Sequence, residues 1–366
     1  MMSLLIYYSS FFISIIFSAI YQKRVQNKDY PKVIKVLWAF LIMFPVIIIQ
    51  GFRFNVGTDY YAYSVLYKEI VKGPNNYYFL SYLKEPLYLL ENYIAFWLFG
   101  SSKALYFINA IIEGCFLFLF FDYYKNKINM SMAYTCCYFI VYPHFFNAER
   151  QGVAVVIVWF AIRYIAEKKF IKYLILILLA SCFHNTALIC LPLYFLNSLK
   201  KILRNRKWWI PIIIIVVFFI WQGRNIFLFI SNYIGFLNNY GGFLLTSADE
   251  ISFAFVLPFL FVLPCFLFYR NLLKNEKYNN IYLYLYFTDI ILLCLSAIFA
   301  FGNRMLMYTD ISIILLIAFT CKSFFSKKNK ITFTLLFSIL ATTYFYIVYF
   351  YVGCDQIFPY NTILNI

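Results

Sequence analysis

Apolar residues in this chain come in long runs separated by short polar stretches. The first run extends from Leu4 to Ile20. Apolar stretches of about 18 residues or more are long enough to cross the roughly 30 Å hydrocarbon core of a bilayer as helices. The pattern predicts twelve such spans, at about 3–20, 33–50, 104–121, 131–147, 152–166, 170–182, 185–199, 209–222, 251–269, 279–300, 305–321 and 331–351. Several are short and draw on their polar flanks to complete the crossing. The expected fold class is all-α: one polytopic transmembrane unit over 1–366, with no soluble domain at either end. No positive segment precedes Leu4 and no small-residue cleavage site follows Ile20. The first run therefore reads as an uncleaved helix rather than a signal peptide.

The polar stretches carry the topology. If the loop with Lys23, Arg24, Lys28 and Lys32 is cytoplasmic, 23 of the 31 Lys and Arg residues fall on the inner side. Such an excess is what orients membrane proteins, and it puts both termini outside. The stretch Pro86–Phe99 is only 14 residues long and carries Glu91 and Asn92. Counting it as a span would invert every later loop, so it reads as an interfacial or re-entrant helix. With the preceding residues it makes a large outer loop over 51–103. A second outer loop covers 223–250.

Composition agrees. The chain is 64% hydrophobic, with a mean hydropathy of +0.77, which excludes a soluble domain. A net charge of +16 would suggest nucleic acid. The basic residues, however, sit in short clusters between apolar runs, so no nucleic-acid partner is expected. The aromatic content of 23% is divided between interfacial Tyr and Trp and lipid-facing Phe. The nine cysteines include no C-x-x-C pair and mostly fall inside apolar runs. They read as packing residues, not as a disulfide framework or a zinc site.

Arg53, Arg150, Arg224 and Arg304 remain on the side that the positive-inside rule empties of basic residues. A guanidinium held there suits an anion, and its planar fork suits phosphate. Arg53 lies in Gly51-Phe-Arg-Phe-Asn-Val-Gly-Thr-Asp-Tyr60. There Gly57 permits a tight turn, and Thr58 or Asp59 can cap a helix over 60–71. That helix has Tyr63, Leu66, Tyr67 and Ile70 on one face and should lie along the interface. Asp59 is either that cap or a carboxylate that orients Arg53. Arg150 and Gln151 occupy a short outer turn, where Glu149 is a ready ion-pair partner. Arg304 occupies another, and Arg224 a longer loop.

His184 opens a helix in Cys182-Phe-His-Asn-Thr186, where the helix dipole disfavours the cation and leaves a neutral imidazole able to take a proton. His144, after Pro143, reads as structural. Glu113, Asp289 and Asp310 are carboxylates in or near apolar runs, a costly placement that also fits proton-coupled transport. Nucleotide-binding, zinc-protease and serine-hydrolase patterns are absent, and no acidic cluster shows metal-ligand spacing.

At these residues the chain resembles the EpsG/Wzy-like polysaccharide polymerases. Gly51 to Tyr61 resembles the family's "R…GxDY" signature, Glu85-Pro86 its "EP" segment, and Arg150-Gln151-Gly152 its "RQ-small" turn. Phe183-His184-Asn185-Thr186-Ala187 with Leu191-Pro192-Leu193-Tyr194 resembles its "FH…LPLY" segment, and Arg304 with Tyr308 its late "R…Y" helix start. The resemblance implies a GT-C-like membrane glycosyltransferase without a cofactor, in the bacterial cytoplasmic membrane. It implies joining of undecaprenyl-diphosphate-linked oligosaccharide units at the outer face into O-antigen, capsule or exopolysaccharide. A chain-length regulator and a flippase of the same pathway are the implied protein partners. Arg53, Arg150 and Arg304 are then expected on the diphosphates and His184 or Asp59 as the base. Tyr60, Gln151 and Arg224 are further candidate contacts. A transporter or flippase of lipid-linked sugars is the competing expectation, with Glu113 or Asp289 as proton relays.

Overall fold

The structure, a computed structural model, describes residues 2–25, 31–196, 253–268, 276–296, 302–323 and 326–363, with the isolated positions 198, 218, 222, 225 and 229. The span expected at 209–222, the loop 223–250 and Arg224 therefore lie, but for those positions, outside the described residues.

The described chain is helical. The first half comprises α1 (Met2–Val25), α2 (Lys32–Gly51), α3 (Tyr60–Ile70), α4 (Tyr77–Ser81), α5 (Pro86–Phe99), α6 (Lys103–Tyr124), α7 (Met130–Cys136), α8 (Glu149–Ala166) and α9 (Phe170–Ser181). A 3-10 helix follows at Asn185–Phe195. Beyond it come α10 (Phe253–Phe266), α11 (Glu276–Ser296), α12 (Gly302–Leu306), α13 (Ile311–Ser323) and α14 (Lys327–Phe345). Among the described residues, four helical stretches are long and apolar enough to cross a membrane: α1, α2, α6 and Lys328–Tyr351. Five shorter apolar helices join them. This is a helical membrane protein.

Burial divides the helices into two kinds. α8 and α13 are apolar on nearly every side and buried on nearly every side, as expected of helices at the centre of a bundle. The Trp159 indole on α8 donates to the carbonyl of Met307 at 3.1 Å, just before α13. α1, α2 and α14 instead leave Leu5, Phe12, Val36, Phe40, Leu335 and Ile339 exposed. Large exposed apolar faces are intolerable in water and natural against lipid. α2 and α6 approach closely because Gly51 has no side chain: a Cβ there would overlap the ring of Phe107.

The two ends of the bundle differ. At one end Tyr21 donates to Asp122 at 2.5 Å, Gln22 to the carbonyl of Ile128 at 2.6 Å, and the amide of Asn129 to the carbonyl of Ala318 at 3.0 Å. This gathers turns that the charge pattern assigns to a single side. At the other end lie the 52–59 loop, α3 to α5 and the tail 353–363. That tail returns along the loop: Phe54 donates its amide to Asn361, Ile363 to Phe52 and Gly57 to Gln356, at 2.9–3.0 Å. Arg53 and Thr362 form an antiparallel bridge. Tyr7 of α1 donates to the carbonyl of Ile357, and Tyr360 to that of Ile49, each at 3.0 Å.

Candidate functional site

The expected site residues gather at this second end, but their partners differ from those expected. Glu149 pairs with Arg53, not with its neighbour Arg150. Arg53 has no exposed side-chain surface. Its guanidinium donates to the carbonyl of Phe146 at 2.6 Å and lies over the rings of Phe146 and Tyr106. Glu149 also accepts from Asn109 at 2.9 Å. Arg53 therefore stands in the wall of the site with its charge already compensated. Tyr60 stands beside it, buried and stacked on Tyr106 at 4.5 Å between centroids. Both side chains are covered in the wall of the site.

Arg150 pairs with Glu85 and lies over the rings of Tyr82 and Tyr88. The geometry of α5 explains why Glu85 is there. Pro86 fills the first helical position, where a missing N–H costs nothing. The free amides of Leu87 and Tyr88 take the carbonyl of Cys182 at 3.0 and 3.3 Å, docking α5 on the end of α9. Glu85 is thereby carried to the start of the 3-10 helix. Its Oε1 accepts from the amide of Asn185 at 3.0 Å and faces Nδ1 of His184 at 3.2 Å.

The protonation states follow. Burial disfavours the Glu85 carboxylate, but the His184 hydrogen bond, Arg150 and the Asn185 amide outweigh it and hold its pKa at about 2. His184 is likewise lowered from an imidazole's ordinary range: burial lowers it and Arg150 adds to this, against the pull of Glu85. An ionised carboxylate only accepts hydrogen bonds. Nδ1 of His184 must therefore carry the proton, which leaves Nε2 with a lone pair in the neutral ring. A carboxylate that fixes the tautomer of a neutral imidazole is the arrangement a general base requires.

Asp59 occupies the N-cap position of α3, but its side chain takes no hydrogen bond from the helix. It accepts instead from Arg304, at 3.1 Å, and not from Arg53. The Arg304 side chain is 53% exposed. Its backbone carbonyl accepts from Gln151 at 2.6 Å. Gln151 is buried and supports the Arg304 turn through this bond. Thr186 and Tyr308 share a hydrogen bond at 2.8 Å and tie the His184 turn to the Arg304 turn.

Behind Arg304 lies a cavity of about 220 Å³ lined by Thr58, His144, Asn147, Asp310 and Asp355 among apolar side chains. His144 faces Asp355 at 2.6 Å through Nδ1 and Tyr349 at 3.2 Å through Nε2. Tyr349 spends its single proton on the carbonyl of Ile140, at 2.8 Å. Two wide turns make that contact. The chain is wound with i→i+5 bonding at Cys137–Val141 and again at Tyr346–Tyr351, and such insertions re-aim side chains at functional sites.

Glu85 entered the sequence reading only as part of a motif, His144 as structural and Asp355 not at all. The Glu-Pro helix start marked Glu85 locally. For Asp355 no local signal exists, since its partners are more than 200 residues away.

Fold and site define a polytopic helical membrane protein with a buried ion-pair network and a neutral, oriented histidine at one end of its bundle. The chain belongs to the EpsG family, whose model matches residues 35–362 and so takes in every residue of this site. That family points to a membrane protein of the polysaccharide-polymerase type. No curated protein and no solved structure matches the chain.

Proposed function

We propose that the chain is a glycosyltransferase that polymerises lipid-diphosphate-linked oligosaccharide units at the outer face of the bacterial cytoplasmic membrane. In this reading it crosses the membrane twelve times in a GT-C-like arrangement with both termini outside, and undecaprenyl diphosphate carries donor and acceptor. The observation that carries the reading is the neutral His184, oriented by ionised Glu85 and flanked by Arg150 and Arg304.

The chemistry needs these groups. A hydroxyl of the acceptor sugar attacks the anomeric carbon of the donor. A new C–O bond forms while the bond from that carbon to the diphosphate oxygen breaks, and the electron pair leaves with the diphosphate. The hydroxyl proton passes to Nε2 of His184. Arg304, the more exposed cation, meets the diphosphate first, exchanging Asp59 for phosphate oxygens. Arg150, held over the rings of Tyr82 and Tyr88, neutralises the charge that develops on the leaving group. Arg53 supports the wall behind them.

The test is the glycan ladder formed when the chain is expressed with a lipid-linked repeat unit. Arg304→Ala and Arg150→Ala should each remove the ladder and leave single units attached, with the protein still in the membrane. Loss of a flippase would instead leave no surface unit at all. An intact ladder in both variants would sink the diphosphate role.

A further inference from the structure

The cavity behind Arg304 is not used by that mechanism, and its lining is unlike a phosphate site. Asp355 is held below the ordinary carboxylate range: burial works against its charge, but His144 and the Asn147 amide more than compensate. Asp59 balances Arg304, and Asp355 balances His144, so the polar groups have no positive excess for an anion. Asp310 lines the cavity, and its carboxylate, unlike its backbone, makes no hydrogen bond among the described residues. Asn147 is more than nine-tenths buried, donates to the backbone and side chain of Asp355 at 3.0 and 2.9 Å, and leaves its Oδ1 without a partner. The remaining walls include Phe259, Met307 and Tyr344.

We propose that this cavity is a second binding site, which seats one uncharged sugar ring through Asp310, Asn147 and the His144–Asp355 pair. The proposal rests on the polymerase reading for the origin of that ring, the acceptor glycan, but not for its chemistry. Sugar hydroxyls donate to carboxylates and accept from a guanidinium such as that of Arg304, while Asn147 holds Asp355 in place for them. The CH faces of the ring suit the aromatic and thioether walls. The volume lies below the roughly 300–1,000 Å³ of sites for drug-sized ligands, so it admits one ring and not an oligosaccharide. Asp310 supplies the discrimination, because a half-buried acceptor left without a hydroxyl disfavours a ring that lacks one there.

The experiment is saturation-transfer NMR on the full chain in lipid nanodiscs. The probes are free glucose, galactose, rhamnose, N-acetylglucosamine and N-acetylgalactosamine, each at millimolar concentration. At least one should receive saturation above empty nanodiscs. Asp310→Asn, which keeps the shape of the side chain, should weaken that binding by about tenfold, and Asn147→Ala should weaken it similarly. Arg150→Ala should retain binding while losing polymer. Binding that persists with no polymer formed by the wild-type chain would remove the polymerase reading and keep the sugar site. Transfer to no probe, or transfer unchanged in Asp310→Asn, would overturn the proposal.

Discussion

Arg53 and Arg304 show how little the residue type alone decides. Both are arginines at the same end of the bundle, yet one is sealed against Glu149 and the other is half exposed. Removing one partner of a buried pair leaves an uncompensated charge, which costs about 3–5 kcal/mol. Arg53→Met should therefore lower the Tm of the purified protein markedly, and Arg53→Met combined with Glu149→Met should restore much of it. Arg304→Ala should leave Tm nearly unchanged while abolishing polymer; equal melting losses in Arg53→Met and Arg304→Ala would contradict the division of roles. Gly57 makes a comparable point about the backbone. Its φ is +98°, and a Cβ there would come within 2.6 Å of the Asn147 amide oxygen. Gly57→Ala should cost more than the 1 kcal/mol or so typical of an unfavourable Gly-to-Ala change and disturb the cavity as well. Acid sensitivity follows from two groups. Glu85, drawn down to about 2, contributes stability that is complete above the ordinary carboxylate range and is lost as pH falls toward 2. His184 stays neutral in the fold below an imidazole's usual pKa of about 6.5. There the unfolded chain binds a proton that the folded chain refuses, so stability declines on acidification in that window too. Between pH 7 and pH 5 the His184→Ala protein should lose less thermal stability than the wild-type chain; an equal change in both would mean that His184 is not neutral. The residue types of this site were legible in the sequence, because arginines stood out against the positive-inside pattern. Their partners were not legible, because a pairing such as Arg150 with Glu85 depends on how α5 docks against Cys182.

Helix positions were readable where composition alone sets them. The long apolar runs became α1, α2 and α6, and the short run at Pro86–Phe99 became α5 with the same bounds. The face of α3 was also readable: Tyr63, Tyr67 and Ile70 are buried and Leu66 packs against them. The wide turns at 137–141 and 346–351 left no trace in the apolar pattern, since one extra residue per turn inside a uniformly apolar helix changes no periodicity that can be seen. The tail was equally hidden, because its ladder with residues 52–57 joins segments about 300 positions apart. Its contribution can be measured. Truncation after Tyr351 removes Asp355 and the ladder together, so the chain should still enter the membrane but form no polymer. A truncated chain with a normal ladder of glycan would show that the tail is dispensable.

For the whole molecule, the charge pattern and the structure bear on different questions. The pattern sorts loops into two sets, and the structure brings members of each set together at opposite ends of the bundle. Cysteine labelling connects the two. In a background without the nine native cysteines, Met2→Cys and Lys84→Cys should react with an impermeant maleimide on intact cells. Lys125→Cys should react only after the membrane is opened, and reaction of all three on intact cells would refute the twelve-span arrangement. The returning tail has a further consequence, for biosynthesis. Residues 353–363 leave the ribosome after every described helix, and the segment must then reach the end of the bundle where 52–57 lie before it can pair with them. Until it does, His144 lacks its hydrogen bond to Asp355 and residues 52–57 lack theirs to the tail. The candidate site therefore stays unassembled until the last segment to be made has been translated and docked.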